Sequence, residues 1–182
     1  YTTLFRSGRG IPLGKVIDCV STINTGAKYN DEVFQFSVGL NGVGTKAVNA
    51  LSASFRVVSY RDGRFFEAYF ERGKLKNSRE DSAGREKNGL LVEFTPDPEI
   101  FPEYEYTMEF LEKRMWAYAC LNSGLSIVLN GTEYKADKGL MDLLSSEVGQ
   151  VALYDLGWYR GDRIEFAFTH TNNYGEEHFS FV

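Results

Sequence analysis

A chain of 182 residues with 43% hydrophobic content is large enough for one packed domain, or one domain and part of a second. Its net charge of −5 argues against a free-standing nucleic-acid surface, which needs clustered Lys and Arg. No apolar run reaches the length of a membrane span and no signal sequence precedes the fold, so the expected compartment is the cytoplasm.

In chain order, residues 1–7 fit the remainder poorly and read as truncated or foreign sequence. The chain opens without methionine and closes at Phe179-Ser180-Phe181-Val182 in mid-strand by pattern, so a fragment of a longer protein is expected. Gly8-Arg9-Gly10-Ile11-Pro12 is either a tight turn or a segment whose glycines let the backbone approach a flat base, with Arg9 stacked over it. Residues 15–23 carry Val16, Ile17, Val20 and Ile23 at near-helical spacing. Residues 24–36 are polar and read as a loop. They lead to Gly39-Leu40-Asn41-Gly42-Val43-Gly44, which runs directly into a helical pattern from Thr45.

A glycine loop opening a helix presents unpaired N–H groups and a positive dipole end to one point, where a phosphate can bind. An ordinary strand-to-helix turn explains the same residues. The segment is not a Walker loop, because the order is Gly-Thr-Lys, and its glycine spacing is wrong for a dinucleotide fingerprint.

Strands at residues 55–60 and 65–72 flank Asp62-Gly63, a hairpin signal. Residues 74–88 are charged and read as an exposed excursion, and residues 90–95 as a third strand. Residues 107–121 form a helix with an apolar stripe of Met108, Leu111, Met115, Tyr118 and Ala119, a Glu109–Lys113 pair, and a glycine stop at Gly124. A second hairpin turns at Asn130-Gly131, a short helix covers 139–148, and strand pattern resumes from Ala152. Hairpin-linked strands mixed with helices predict an α+β fold, with a domain boundary after residue 149.

Cys19 and Cys120 lie far apart in apolar surroundings and read as buried free thiols. With His170 and His178 they offer no metal-ligand spacing. Asp97, Glu99, Glu103 and Glu105 read as a solvated acidic loop, and Trp116 and Trp158 as core.

The order Gly8-Arg9-Gly10-Ile11-Pro12, Thr25-Gly26-Ala27-Lys28-Tyr29, Val38-Gly39-Leu40-Asn41-Gly42-Val43-Gly44 and Val48-Asn49-Ala50-Leu51-Ser52 resembles the B subunits of bacterial type IIA DNA topoisomerases, gyrase and topoisomerase IV. The resemblance continues through Arg61-Asp62-Gly63, Phe94-Thr95-Pro96-Asp97, Leu121-Asn122-Ser123-Gly124-Leu125 and Tyr174-Gly175-Glu176-Glu177 to Ser180-Phe181-Val182. It covers nearly all of the chain after Ser7. The direct run from Pro12 to Leu13-Gly14-Lys15 points to the topoisomerase IV type.

The resemblance implies a GHKL-type ATPase sandwich, a mixed sheet backed by helices, over residues 1–149, and the start of a transducer domain over 150–182. It places Arg9, Gly10, Ile11 and Pro12 beside adenine and Lys28 in a lid near the nucleotide. Gly39, Leu40, Asn41, Gly42, Val43 and Gly44 fall in the segment whose amides hold phosphates. Leu90 stands where the family usually has a threonine supporting adenine through water. Arg6 stands where the family has the aspartate that reads adenine, and a guanidinium cannot accept a hydrogen bond from the adenine amino group.

The general-base glutamate and the Mg²⁺-binding asparagine of the family would lie upstream of this chain, so no catalytic residue and no metal ligand is expected within it. ATP with Mg²⁺, a topoisomerase A subunit, DNA and a second copy of the ATPase subunit are the implied cofactors and partners. Two alternatives remain: another ATPase of the fold, of chaperone or mismatch-repair type, and a non-catalytic α+β module that has lost its nucleotide.

Overall fold

The computed structural model describes residues 2–23, 25 and 42–181. These fall into two compact units, one reaching Tyr104 and the other spanning Glu105–Phe181.

The first unit is a five-stranded antiparallel sheet. Its strands are β1 (Thr2–Ser7), β2 (Ser52–Arg61), β3 (Arg64–Glu71), β4 (Lys74–Ser82) and β5 (Gly89–Pro96), in the order β1-β5-β2-β3-β4. The β2–β3 turn is Asp62-Gly63 with φ of 54° and 76°, the doubly left-handed turn whose twist matches antiparallel strands. Arg72-Gly73 repeats it between β3 and β4, with φ of 48° and 75°. That turn is docked on its neighbours: Arg72 N–H donates to Ser52 O at 2.9 Å and Gly73 N–H to Asn49 O at 3.1 Å.

Two helices cover one face of the sheet: α1 (Val16–Ser21), entered through a 3-10 turn at Leu13–Lys15, and α2 (Gly44–Ala50). Strand alternation sends Phe55 and Val57 of β2 and Ala68 and Phe70 of β3 to that face, where they are fully buried with Val16 and Val20. Ile11, Ile17, Val48, Phe66, Leu90, Val92 and Phe94 pack around them. Phe55 and Phe70 meet edge to face with centroids 6.1 Å apart. Burying each such ring contributes about 2–3 kcal/mol.

The opposite face mixes charge with apolar side chains, the buried Val58 among them. Arg56 pairs with Glu67 at 2.5 Å and also with Glu93, and Glu67 takes a second partner in Arg79. Burial acts to raise the Glu67 carboxyl, but the hydrogen bonds from Arg56 and Arg79 outweigh it and hold it below the usual carboxylate range.

Three expectations change here. Residues 2–7 are not a misfit in the fold, because β1 pairs in continuous register with β5 from Thr2↔Phe94 to Ser7↔Gly89. Residues 74–82 are a strand, not an excursion. Every residue of β4 is exposed, so burial left no alternation to read, and its charges suit an unprotected sheet edge. Asp97 is not solvated. It is 2% exposed, bonded to Arg72 Nε at 2.5 Å and to the Glu99 N–H at 3.0 Å. The Glu99 N–H, then the Arg72 guanidinium, hold its carboxyl below the ordinary range.

The second unit contains α3 (Met108–Leu121), hairpin β6 (Ser126–Leu129) and β7 (Thr132–Lys135), α4 (Leu140–Val148), and hairpin β8 (Gly157–Arg160) and β9 (Glu165–Phe168). Asn130-Gly131 makes the first hairpin turn with φ of 49° and 87°. The small core is Cys120, Ala136 and Leu143, flanked by Trp116 and Leu140. The buried stripe of α3 is rotated from the expected one. Ala119 is buried as expected and Leu111 and Met115 are half-buried, but Met108 and Tyr118 are exposed, while Trp116 and Cys120 turn inward and Trp116 Nε1 donates to Ser146 Oγ at 2.9 Å. Trp158 is 44% exposed rather than core. Residues 179–181 are in no strand. No helix among the described residues is long and apolar enough to cross a membrane.

Both cysteines are free, Cys120 buried and Cys19 only half-buried. Burial pushes the Cys120 thiol up to about 11, with a smaller push from Asp142. At pH 8 its thiolate fraction is therefore about one in a thousand. Alkylation by iodoacetamide at pH 8 should label Cys19 first and reach Cys120 only on unfolding; equal labelling rates in the folded chain would contradict this packing.

Candidate functional site

Residues 8–12 leave β1 and cross the ends of β5 and β2. Gly8 N–H donates to Asn88 O at 3.3 Å. Gly10 has φ of 68° and lies flat on the sheet. A Cβ there would stand 2.5 Å from Tyr60 O, 3.0 Å from Ser59 Oγ and 3.1 Å from Gly89 O. Glycine is required on both counts, conformation and space. Ser59, fully buried, donates its hydroxyl to Ile11 O at 2.7 Å. Pro12 O accepts the Lys15 N–H at 2.8 Å and so starts the 3-10 turn. Ile11 packs on the apolar cluster and Arg9 is exposed.

The sheet register brings two more residues to this place. Leu90 lies opposite Arg6 on one side and Ser59 on the other. Residues directly opposite share a face, so Arg6, Leu90 and Ser59 form one row on the helix-covered side, beside Gly10. Leu90 is half-buried against the core, and Arg6 is exposed. Gly89 permits this row: a Cβ there would lie 2.7 Å from the Phe5 ring and 2.8 Å from Arg6 O.

The second glycine segment is described from Gly42 onward; Lys28, Gly39, Leu40 and Asn41 lie outside the described residues. Gly42 is left-handed at φ 55°, and α2 begins at Gly44 as the sequence pattern predicts. The first N–H groups of a helix have no intrahelical acceptor.

Lys46, which sequence reasoning used only to exclude a Walker loop, is 7% exposed. Its ammonium donates to Gly42 O at 2.6 Å and Thr25 O at 3.0 Å. It thereby ties the entry of α2 to the exit of α1. Asn49 does the same one turn later: it is 1% exposed and donates through Nδ2 to Val20 O at 3.0 Å. The buried charge of Lys46 carried no sequence signal beyond its position in the helix that follows the glycines.

These residues offer backbone donors, a buried ammonium and an apolar wall. Among the described residues no three carboxylate, imidazole or thiol groups converge. The arrangement can bind and orient.

No family model matches the chain. The B subunit of DNA topoisomerase 4 from Borreliella burgdorferi is 59% identical over 176 residues, covering 96% of this chain and 29% of that protein. The B subunit of DNA gyrase from Thermotoga maritima is 32% identical over 203 residues, covering 97% of this chain and 32% of its own length. The chain thus spans less than a third of these curated relatives. Among solved structures, the 43K ATPase domain of Thermus thermophilus gyrase B, in complex with an aminocoumarin, superposes with a TM-score of 0.73 at 29% identity. The match covers 96% of this chain and 50% of that one. The ATPase region of Saccharomyces cerevisiae topoisomerase II superposes with a TM-score of 0.76 over 92% of this chain and 48% of the other. At 20% identity it shows the fold alone. The fold is the α+β arrangement of the GHKL ATPase domains.

Proposed function

Because this chain is homologous to the ATPase region of type IIA DNA topoisomerase B subunits, we propose that it supplies the phosphate side and one base wall of an ATP site in such an enzyme. The observation that carries the reading is the Gly10 contact. A glycine-only backbone is pressed on the ends of β2 and β5, beside the Arg6–Leu90 row and on the same helix-covered side as α2. Arg9, Gly10, Ile11, Pro12 and Leu90 would line the base. Gly42, Val43 and Gly44, continuing from Gly39, Leu40 and Asn41 and joined by Lys28, would hold the phosphates through main-chain donors and charge.

ATP would bring the triphosphate whose hydrolysis drives the enzyme. Mg²⁺ and the activated water would be held by residues other than those described. We assign residues 1–149 to the ATP-binding domain and 150–182 to the start of the transducer. The partners in the intact enzyme would be a second copy of the same subunit, the A subunit and a DNA duplex, in the bacterial cytoplasm. Greater identity to the topoisomerase IV relative than to the gyrase relative supports the topoisomerase IV reading.

The Arg6 and Leu90 side chains offer adenine no acceptor and the water-activating base is assigned outside the described residues, so the 182-residue chain should bind ATP weakly and turn none of it over. A phosphate-release assay on the purified chain with Mg²⁺-ATP checks this. A rate that saturates with ATP would overturn the assignment of catalysis to residues outside those described. Failure of triphosphate and tripolyphosphate alike to bind would favour a non-catalytic module on the same scaffold.

A further inference from the structure

The N-terminus of α4 is capped from a distant part of the second unit. Gly139 precedes the helix with φ of 60° and has no side chain to accept a hydrogen bond. The Leu140 N–H instead donates to Glu165 Oε1 at 3.0 Å, from the first residue of β9. The same oxygen accepts the Trp158 indole N–H at 3.1 Å. Arg160 Nε lies 3.8 Å from the other carboxylate oxygen, and Arg160 Nη1 reaches Ser123 Oγ at 3.4 Å. One oxygen is therefore shared between the helix and the β8–β9 hairpin.

The approach depends on glycine. A Cβ at position 139 would stand 2.5 Å from Glu165 Oε1, 3.2 Å from Ser123 Oγ and 3.4 Å from Cys120 O. A carboxylate at the positive end of a helix, accepting two N–H donors, makes stronger hydrogen bonds than a neutral acceptor. The other side-chain hydrogen bonds at this end of α4 are local, the Asp137 and Lys138 N–H groups donating to Asp142 Oδ2, and do not involve the hairpin.

We propose that Glu165 is a positioning residue: the pin that makes α4 and the β8–β9 hairpin move as one body. Its place in the chain gives this a consequence, which rests on the domain boundary proposed above. With α4 ending at Val148 and the hairpin starting at Gly157, the pin crosses from the ATP-binding part to the start of the transducer. A displacement of α4 is then passed to the hairpin through this carboxylate, alongside the packing of α4 against β8 and β9, without flexing of the linker between them.

The test is residue-resolved amide hydrogen exchange on the full 182-residue chain, with Val57 and Ala68 of the first unit as internal controls for folding. Glu165→Met keeps the stem and removes the acceptor. It should speed exchange about tenfold at Leu140 and at the β8–β9 amides together. Glu165→Gln keeps an acceptor oxygen and should restore both to within about threefold of the parent. Trp158→Phe removes only the hairpin's donor, so it should loosen β8–β9 while Leu140 stays protected, and this variant remains informative if the methionine variant does not fold.

Unchanged exchange in Glu165→Met, or faster exchange at only one of the two elements, would overturn the pin. So would failure of glutamine to rescue, because the shared oxygen would then not be the link. None of these readouts involves nucleotide, so loss of the ATP reading leaves the pin standing and the converse also holds.

Discussion

Alanine at position 10 is expected to cost the folded chain about 3 kcal/mol or more, read as a lower urea midpoint with an unchanged slope. The φ of 68° at Gly10 is left-handed, which costs an L-residue about 1–2 kcal/mol. The larger part is steric. The nearest atom to the new Cβ, at 2.5 Å, is the Tyr60 main-chain oxygen, which no rotamer change can move. Relief requires lifting residues 8–12 off the sheet. That breaks the 2.7 Å bond between Ser59 Oγ and Ile11 O and leaves a fully buried hydroxyl unpaired, at about 1–3 kcal/mol. The control is Gly14→Ala, where a Cβ meets nothing within 4 Å and the change should stay within about 0.5 kcal/mol. Equal midpoints for the two variants would show that residues 8–12 do not lie against the ends of β2 and β5.

Arg6→Asp combined with Leu90→Thr is expected to tighten binding of a non-hydrolysable ATP analogue by more than about tenfold, measured by isothermal titration. The adenine amino group is a donor and needs an acceptor; the present pair offers five N–H donors and an alkyl group. Because the two positions face each other across β1 and β5, aspartate and threonine would put a carboxylate and a hydroxyl on one spot of the proposed base wall. Their effects should couple, with the double variant exceeding the sum of the singles. Charge alone predicts the reverse, since replacing arginine by aspartate moves the site two units toward repelling a triphosphate. Tightening against that trend, with no gain for a guanine analogue, would mark base recognition. Weakened binding of both nucleotides would show that the Arg6–Leu90 row does not face adenine.

The parts of the fold legible in the sequence are those whose cause is local. Asp62-Gly63 and Asn130-Gly131 announce their hairpins because few other residues accept two left-handed positions. The glycine before Thr45 marks the start of α2 for a related reason. β4 was hidden because all its residues are exposed; only the free edge of β3 makes it a strand. In α3 the helix was evident from periodicity. Its buried side was set by Leu143 and Ser146, residues that no window over 107–121 contains.

The same distinction divides the site. Gly10 was visible as a glycine, yet its partners Tyr60 and Gly89 belong to two strands whose register the sequence does not state. The facing of Arg6 and Leu90 is likewise a register fact. Asp97 read as a loop carboxylate because Arg72, which buries its charge, is 25 residues away in sequence. Lys46 was seen only as the wrong residue for a Walker loop, and its enclosure by Gly42 and Thr25 carbonyls is tertiary.

The central claim, that Gly8–Pro12, Leu90 and the entry of α2 face one nucleotide, is tested most directly by backbone amide NMR of the chain titrated with a non-hydrolysable ATP analogue. Saturable shifts are expected at Gly10, Ile11, Leu90 and Gly42 to Lys46, with a millimolar dissociation constant. Tripolyphosphate should reproduce the shifts at Gly42 to Lys46 and leave Leu90 unmoved. Shifts confined to residues 105–181, or none at Gly42 to Lys46 under saturating analogue, would contradict it.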